Sequence, residues 1–332
     1  MRKLLLSAMA MAAMTMSAQT TNSTTVVLQG TEYRMDKLIE RQIGPGTVYT
    51  RYRLPQYPLN VNIVTVDTRN PNIKIETSLP KDLSQGTELL VEAANRYEST
   101  DHHPIVAQNG NFWCVSTQEM WNAYGASTQG VSMRNGMLSI DSKSFPFWWW
   151  WTTEQSGIIS TTDTNELFID LCRTEMTIES DKTGRRDFAS CNKGFRPGEI
   201  GLYTPWFGPD RQFIPLSNNT PSEYIVTDDA SCNEVLLTIA DGETWASGRD
   251  MRFIVSEVRH SNGRGSLGNY DLALVARDSD VNFADLVPGD EVRVNYSWVF
   301  NRNGEDVRPN LTHAIGGNIM VMRDGQITEQ NS

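Results

Sequence analysis

The sequence predicts an α+β fold dominated by sheet, built as a single domain with few helices. Three observations predict it. Short apolar runs of strand length recur through the second half of the chain, separated by clusters of Gly, Asn, Asp and Pro. The stretch "TELLVEAANRYE", Thr87 to Glu98, is the most helical of the chain, and helical signals are otherwise sparse. After the N-terminal region, no fixed-period repeat or low-complexity linker divides the chain into independent parts. A length of 332 residues suits one large domain or two ordinary ones.

In chain order, Arg2-Lys3 gives a positive start and Leu4 to Met16 a short apolar run, with Ala18 a cleavage point before Gln19. Residues 1–18 are therefore read as an export signal. The run is too short for a comfortable membrane span, and charged residues before it argue against a buried helix. No Cys stands near the cleavage point to carry a lipid, and no other segment is long and apolar enough to span a bilayer. Residues 19–48 are read as a leader, flexible at its start. The main domain is expected over residues 49–332. Val61, Ile63 and Val64 form one strand run, and Ile73 and Ile75 alternate in the next, with Asn70-Pro71-Asn72 as the turn between. In the helix, Leu89, Leu90, Ala93, Ala94 and Tyr97 fall on one face. Thr87 is the cap, and Glu88 sits in the favourable first turn. Ile105-Val106-Ala107 reads as a short buried strand. Later strands are expected at Leu167 to Leu171, Val235 to Ile239, Phe253 to Val258, Leu272 to Ala276 and Val292 to Phe300. Near the end, Asp324-Gly325 is a tight turn into a returning strand.

Composition excludes some functions. Hydrophobic residues make up 39% and charged residues 21%, an ordinary globular balance. The net charge of −11 argues against nucleic acid as a partner, because phosphate backbones need a basic field. A small anionic substrate needs only a local cationic pocket. The 4 cysteines, Cys114, Cys172, Cys191 and Cys232, either form two disulfides or stay as buried thiols. They lack CxxC spacing, so a structural zinc site is not expected, and no cofactor is.

"IVAQNGNFW", Ile105 to Trp113, is the sharpest local feature. An apolar run leads into Asn109-Gly110, which tolerates positive φ and puts an amide at a strand end, where binding groups often sit. A plain hairpin turn is the blander reading. Together with the helix before it and "GVSMRNGMLSI" after it, this segment resembles the start of the phosphodiester glycosidase domain. That domain occurs in the lysosomal "uncovering enzyme", an N-acetylglucosamine-1-phosphodiester α-N-acetylglucosaminidase, and in secreted bacterial proteins. The matching places are Asn109-Gly110-Asn111-Phe112-Trp113, Gly130 and Asn135-Gly136. "EIGLYTPWFG", Glu199 to Gly208, resembles the family's Leu-Tyr-Thr-Pro-x-Phe-Gly segment. "LTHAIGGNIMVMRDGQI", Leu311 to Ile327, resembles its Ala-Ile-Gly-Gly segment.

The resemblance covers roughly Tyr49 to Ile327 and implies an exported hydrolase that cleaves a sugar-1-phosphodiester and releases the sugar. The family's later His-Pro-Arg-Thr and Asp-Gly-Gly-Gly-Ser motifs are missing, so the chain is expected to end inside that domain. The resemblance carries over Asn109, Gly110, Phe112, Gly316 and Gly317 as substrate-binding residues, with no catalytic residue assigned. Gly316 and Gly317, at a turn, would let backbone N–H groups approach a phosphodiester oxygen. The partner expected is a sugar-phosphodiester or glycan. The alternative function is a non-catalytic secreted carbohydrate-binding protein, using "FPFWWWW", Phe145 to Trp151. As a strand that run would put Trp148 and Trp150 on one face, and the blander reading is burial or an oligomer contact.

Other candidates are weaker. "NGRGSLG", Asn262 to Gly268, contains G-x-G-x-x-G but leads into a strand, not a helix, and reads as a hairpin loop. His102-His103 read as a solvated loop; His313, beside the Gly-Gly pair, either faces the cleft or, as a lone His more often does, serves the structure. N-x-S/T sequons begin at Asn22, Asn218, Asn295 and Asn310, and matter only in a host that glycosylates them.

Overall fold

A computed structural model describes residues 22–28, 30–110, 113–114, 127–128, 131–141, 156–216, 231–261, 265–277, 283, 285–300, 306–307, 310–317, 322–323 and 326–327. The export signal, Phe112, the tryptophan run, Asn218 and Gly130 lie outside the described residues. The architecture is the sheet-dominated one with few helices that the sequence predicts. The chain divides into two compact units, residues 1–73 and 74–332.

The first unit is an antiparallel meander of β1 (Ser23–Leu28), β2 (Thr31–Gly44), β3 (Thr47–Leu54) and β4 (Leu59–Val66), paired in that order. The expected run of Val61, Ile63 and Val64 lies in β4. The segment read as a leader differs from expectation: residues 23–44 are β1 and β2, and β3 begins before Tyr49. Backbone pairing accounts for this, since every residue of β1 is in register with β2. The unit boundary falls after Ile73, later than residue 49.

The second unit begins with a 3₁₀ turn at Pro80–Asp82 and the helix α1 (Leu90–Arg96). Strands follow as β5 (Trp113–Cys114), β6 (Ser127–Thr128), β7 (Ser132–Arg134), β8 (Met137–Ile140), β9 (Ser156–Thr162), β10 (Leu167–Ser180) and β11 (Gly184–Asp187). Next come β12 (Ser190–Cys191), β13 (Ile200–Tyr203), a 3₁₀ turn at Pro205–Phe207, β14 (Cys232–Ile239), β15 (Met251–Ser261), β16 (Leu272–Arg277) and β17 (Glu291–Phe300). The last are β18 (Asp306–Val307), β19 (Leu311–Gly317), β20 (Met322–Arg323) and β21 (Gln326–Ile327). Most of them join one sheet in the order β12-β13-β16-β14-β15-β17-β10-β9-β19-β7-β8. All five later strands expected from the sequence are present. So is the returning pair around Asp324-Gly325, as β20 and β21.

Burial explains the unbroken apolar runs Val235 to Leu237 in β14 and Leu272 to Ala276 in β16. Val235 and Leu237 enter one core cluster, while Cys232 and Leu236 enter another. Leu272, Leu274 and Ala276 join the first, and Ala273 and Val275 the second. Successive residues point to opposite faces, and both faces are covered, so no polar alternation appears. The first core is closed by the fully buried Trp298, Tyr296 and Phe253. Cys172, Cys191 and Cys232 are buried thiols rather than half-cystines.

Four local expectations are corrected. Ile73 and Ile75 form no strand. The Ile75 N–H donates to the Asn165 side chain (3.1 Å) and its carbonyl accepts from Thr161 Oγ1 (3.2 Å), so side chains take the groups a ladder would use. Ile105-Val106-Ala107 is neither paired nor buried, with Ile105 and Val106 37% and 45% exposed. Apolar content makes no strand where no neighbour offers a ladder. Thr87 does not cap α1: Leu89 holds that position without a side-chain bond, and it and Val91 are exposed while Ala93 alone is buried. The hairpin read around Asn262 to Gly268 is not formed, because the flanking strands β15 and β16 both pair with β14 and not with each other.

The Asn135-Gly136 turn between β7 and β8 has positive φ at both residues, 51° and 74°, as a two-residue primed turn needs. A Cβ on Gly136 would overlap the Trp245 carbonyl oxygen. Gly136→Ala is therefore expected to cost about 1–3 kcal/mol, read as a lower urea midpoint at unchanged slope.

Candidate functional site

The site forms on one face of the β7-β19-β9 part of the sheet. Ile315 is in register with Ser132 on one side and Ile159 on the other, and His313 with Thr161. Residues paired across strands share a face, so Ser132, Arg134, His313, Ile315, Ile159 and Thr161 rise together. The opposite face is core, where Met133 and Ala314 are fully buried.

Two segments lie over this face. Residues 75–77 cross it: Ile75 bonds to Thr161, the Thr77 N–H donates to His313 Nδ1 (3.3 Å), and Thr77 Oγ1 donates to the Met133 carbonyl (2.6 Å). Asn109-Gly110 lies farther along. A Cβ on Gly110 would overlap Ile315 Cδ1, so the strand that ends in Gly316-Gly317 is in contact with the Asn-Gly pair. Asn109 is exposed. Two sequence-predicted segments, distant along the chain, are thus neighbours.

The glycines differ from expectation. Gly316-Gly317 is no turn but the end of β19. The Gly316 N–H is spent on the Val131 carbonyl (2.8 Å), so it is not free for a ligand oxygen. Ladder pairing on both sides of β19 imposes this. Gly317 remains open: apart from its chain neighbours, no atom of the described residues lies within 4 Å of where its Cβ would be.

Beside His313, Arg134 is the local cation. Its Nη1 donates to Asp82 Oδ1 (2.8 Å), and its guanidinium lies 4.2 Å from the Tyr97 ring centroid and 5.7 Å from that of Trp206. Its Nε is buried without a hydrogen-bond partner. Asp82 also accepts from the Tyr97 hydroxyl (2.7 Å) and from Arg96. Arg96 in turn bonds Glu88 (2.8 Å) and the Leu79 carbonyl (2.7 Å). Burial pushes the Asp82 carboxyl up, but the bonds from Tyr97 and Arg96 and the Arg134 charge outweigh it and hold the group below its ordinary value.

His313 is 8% exposed. Burial pushes its pKa down to about 4; Glu76 opposes that, while Arg134 and Lys74 reinforce it. His102 and His103 are exposed and stand near Glu76 (3.8 Å) and Glu98, as the solvated-loop reading has it. Sequence reasoning did not single out Arg134, Asp82, Tyr97 or Thr77. The signal for Arg134 was available: it immediately precedes the Asn135-Gly136 turn, which fixes it at a strand end. A hollow of about 500 Å³ in the first unit, lined by Gln42, Gly46, Thr65, Asp67 and Arg69, holds none of the predicted residues. Its Asp67 and Arg69 are bonded to each other (2.8 Å), so it offers less chemistry than the sheet face. No group of metal-ligating side chains occurs among the described residues, and no helix there is long and apolar enough to cross a membrane.

No family model matches the chain, and no curated protein does. Solved structures do. A hypothetical protein from Synechocystis aligns at TM-score 0.51 and 16% identity, over 93% of this chain and 46% of that one. A "Putative exported protein" from Burkholderia pseudomallei K96243 aligns at TM-score 0.52 and 9% identity, over 83% of this chain and 51% of that one. At such identities the likeness is one of fold. The chain spans about half the length of these structures.

Two outcomes are expected. Above pH 6.5 the His313 ring is neutral folded or unfolded. As pH falls from 6.5 towards about 4, the unfolded ring takes up a proton that the folded ring refuses, so stability drops. The loss is at most a few kcal/mol. His313→Gln should flatten the stability difference between pH 7 and pH 4.5 in urea titrations. Separately, Gly110→Ala should destabilise by roughly 1–3 kcal/mol, and less in an Ile315→Ala background, because truncating Ile315 makes room for the methyl. Additive effects would mean the two residues do not touch.

Proposed function

We propose that the chain is an exported hydrolase of the phosphodiester glycosidase type, cleaving a sugar-1-phosphodiester and releasing the sugar. One observation carries the reading: Gly110 packs on Ile315, so the two segments of strongest family resemblance meet on one sheet face. The chemistry on that face suits the substrate. A departing phosphate needs positive charge and hydrogen-bond donors where negative charge grows. Arg134 supplies a cation in a chain of net charge −11. Asn109 supplies an exposed amide and Gly317 an uncrowded backbone. Export is supported by the signal read at residues 1–18 and by the likeness in fold to the Burkholderia "Putative exported protein".

The test is release of free sugar from a methyl or aryl sugar-1-phosphodiester by the full chain. Asn109→Ala should lower kcat/KM on the order of 10²-fold while near-UV circular dichroism is unchanged. Saturable binding of the sugar without turnover, abolished in Asn109→Ala, would favour the non-catalytic carbohydrate binder instead. Neither release nor binding would sink both.

A further inference from the structure

We propose that His313 is the neutral hydrogen-bond donor to a phosphoryl oxygen of the substrate, with Thr77 as the residue that positions it. The proposal rests on the phosphodiester reading above.

The backbone hydrogen bond from Thr77 assigns the tautomer in this proposal. The Thr77 hydroxyl has one hydrogen, and the Met133 carbonyl, which can only accept, claims it at 2.6 Å. The Thr77 backbone N–H has a fixed direction and points at His313 Nδ1 (3.3 Å). A hydrogen on Nδ1 would oppose it, so Nδ1 is the acceptor and the proton resides on Nε2. Thr77 Oγ1, 3.2 Å from the same nitrogen with its hydrogen on Met133, could itself accept only from an Nδ1–H; the backbone N–H, which cannot turn away, takes precedence. Nε2 has no bonding partner among the described residues, and it is not among their buried, unpaired atoms. A donor is therefore left at the ligand-facing side. The charged groups around the ring are Glu76 and Lys74 on the covering segment and Arg134 on β7. Lys74 and Arg134, the latter paired with Asp82, favour a neutral imidazole and an approaching anion, and Glu76 opposes both. His313 is two residues from Ile315 on the same strand and face, so the donor stands about 7 Å along β19 from the contact with Gly110. That is the span of a phosphodiester and its first sugar atoms, with Asn109 at the far end.

Three measurements on the full chain test this. Long-range ¹⁵N NMR at pH 7 should find His313 protonated on Nε2 alone. His313→Phe should lower kcat/KM on the order of 10²-fold, and His313→Gln, whose amide nitrogen substitutes for Nε2, should recover most of it. Thr77→Val, which breaks the link to Met133, should lower kcat about tenfold at similar KM, and Thr77→Ser should restore it. An Nδ1–H or imidazolium form at pH 7, or full activity in a folded His313→Phe, overturns the proposal while leaving the phosphodiester reading intact. Should the wild-type chain release no sugar from any phosphodiester, that reading fails. Titration with dimethyl phosphate then decides the present proposal: a shift of the Nε2 resonance supports it, and none overturns it.

Discussion

A single extra residue in β19 sets the candidate site. The register slips between Leu311, opposite Thr162, and His313, opposite Thr161, so Thr312 is a bulge. Without it, His313 would face the same way as Leu311, which is fully buried in the core with Ala314. With it, Leu311 and Ala314 point into the core and His313 and Ile315 point to the other face. The bulge is held on both sides. Gly136 N–H donates to the Thr312 carbonyl (2.8 Å), and Thr312 Oγ1 donates to the Thr161 carbonyl (3.2 Å). The Gly136 carbonyl in turn accepts from the buried Tyr296 hydroxyl. The core thus reaches the site through a turn whose shape only a glycine fits.

Much of the fold was legible, and the misses share a cause. Strands such as Val292 to Phe300 were visible because burial demands a long apolar run at β spacing. Ile75 and Ile105 carried the same local signal but met no ladder. One is bonded by the side chains of Asn165 and Thr161, and the other stands exposed. Residues 23–44 lacked the apolar signal because β1 and β2 are mostly exposed or half-buried, so only pairing makes them strands. Pairing is a non-local property, and hydrophobic periodicity reports burial instead.

The site was half legible for the same reason. Asn109-Gly110 and Gly316-Gly317 stood out by turn chemistry and resemblance, and the Gly110–Ile315 contact makes them neighbours. The Gly316 N–H was lost to Val131 because the glycines continue a strand. Arg134 stood beside the Asn135-Gly136 turn and was passed over, and Asp82 carried no local signal of its partners. Only tertiary structure brings the 3₁₀ turn, α1 and β7 around one carboxylate.

That carboxylate also explains how so poor a helix persists. The seven residues of α1 are too few to be stable alone, its N-cap makes no side-chain bond, and one residue of it is buried. What remains is Arg96 in its last turn, tied to Asp82, Glu88 and the Leu79 carbonyl, with Tyr97 at the C-cap bonded to Asp82. Asp82 and Lys81 meanwhile hold positive φ, 56° and 53°, which costs of order 1–3 kcal/mol for each such residue. Arg96, Tyr97 and Arg134 together over-determine that strained turn. The helix, the turn and the cation beside His313 therefore stand or fall as one ionic cluster. Its members lie partly exposed, where salt weakens them, so the site should loosen before the sheet beneath it does.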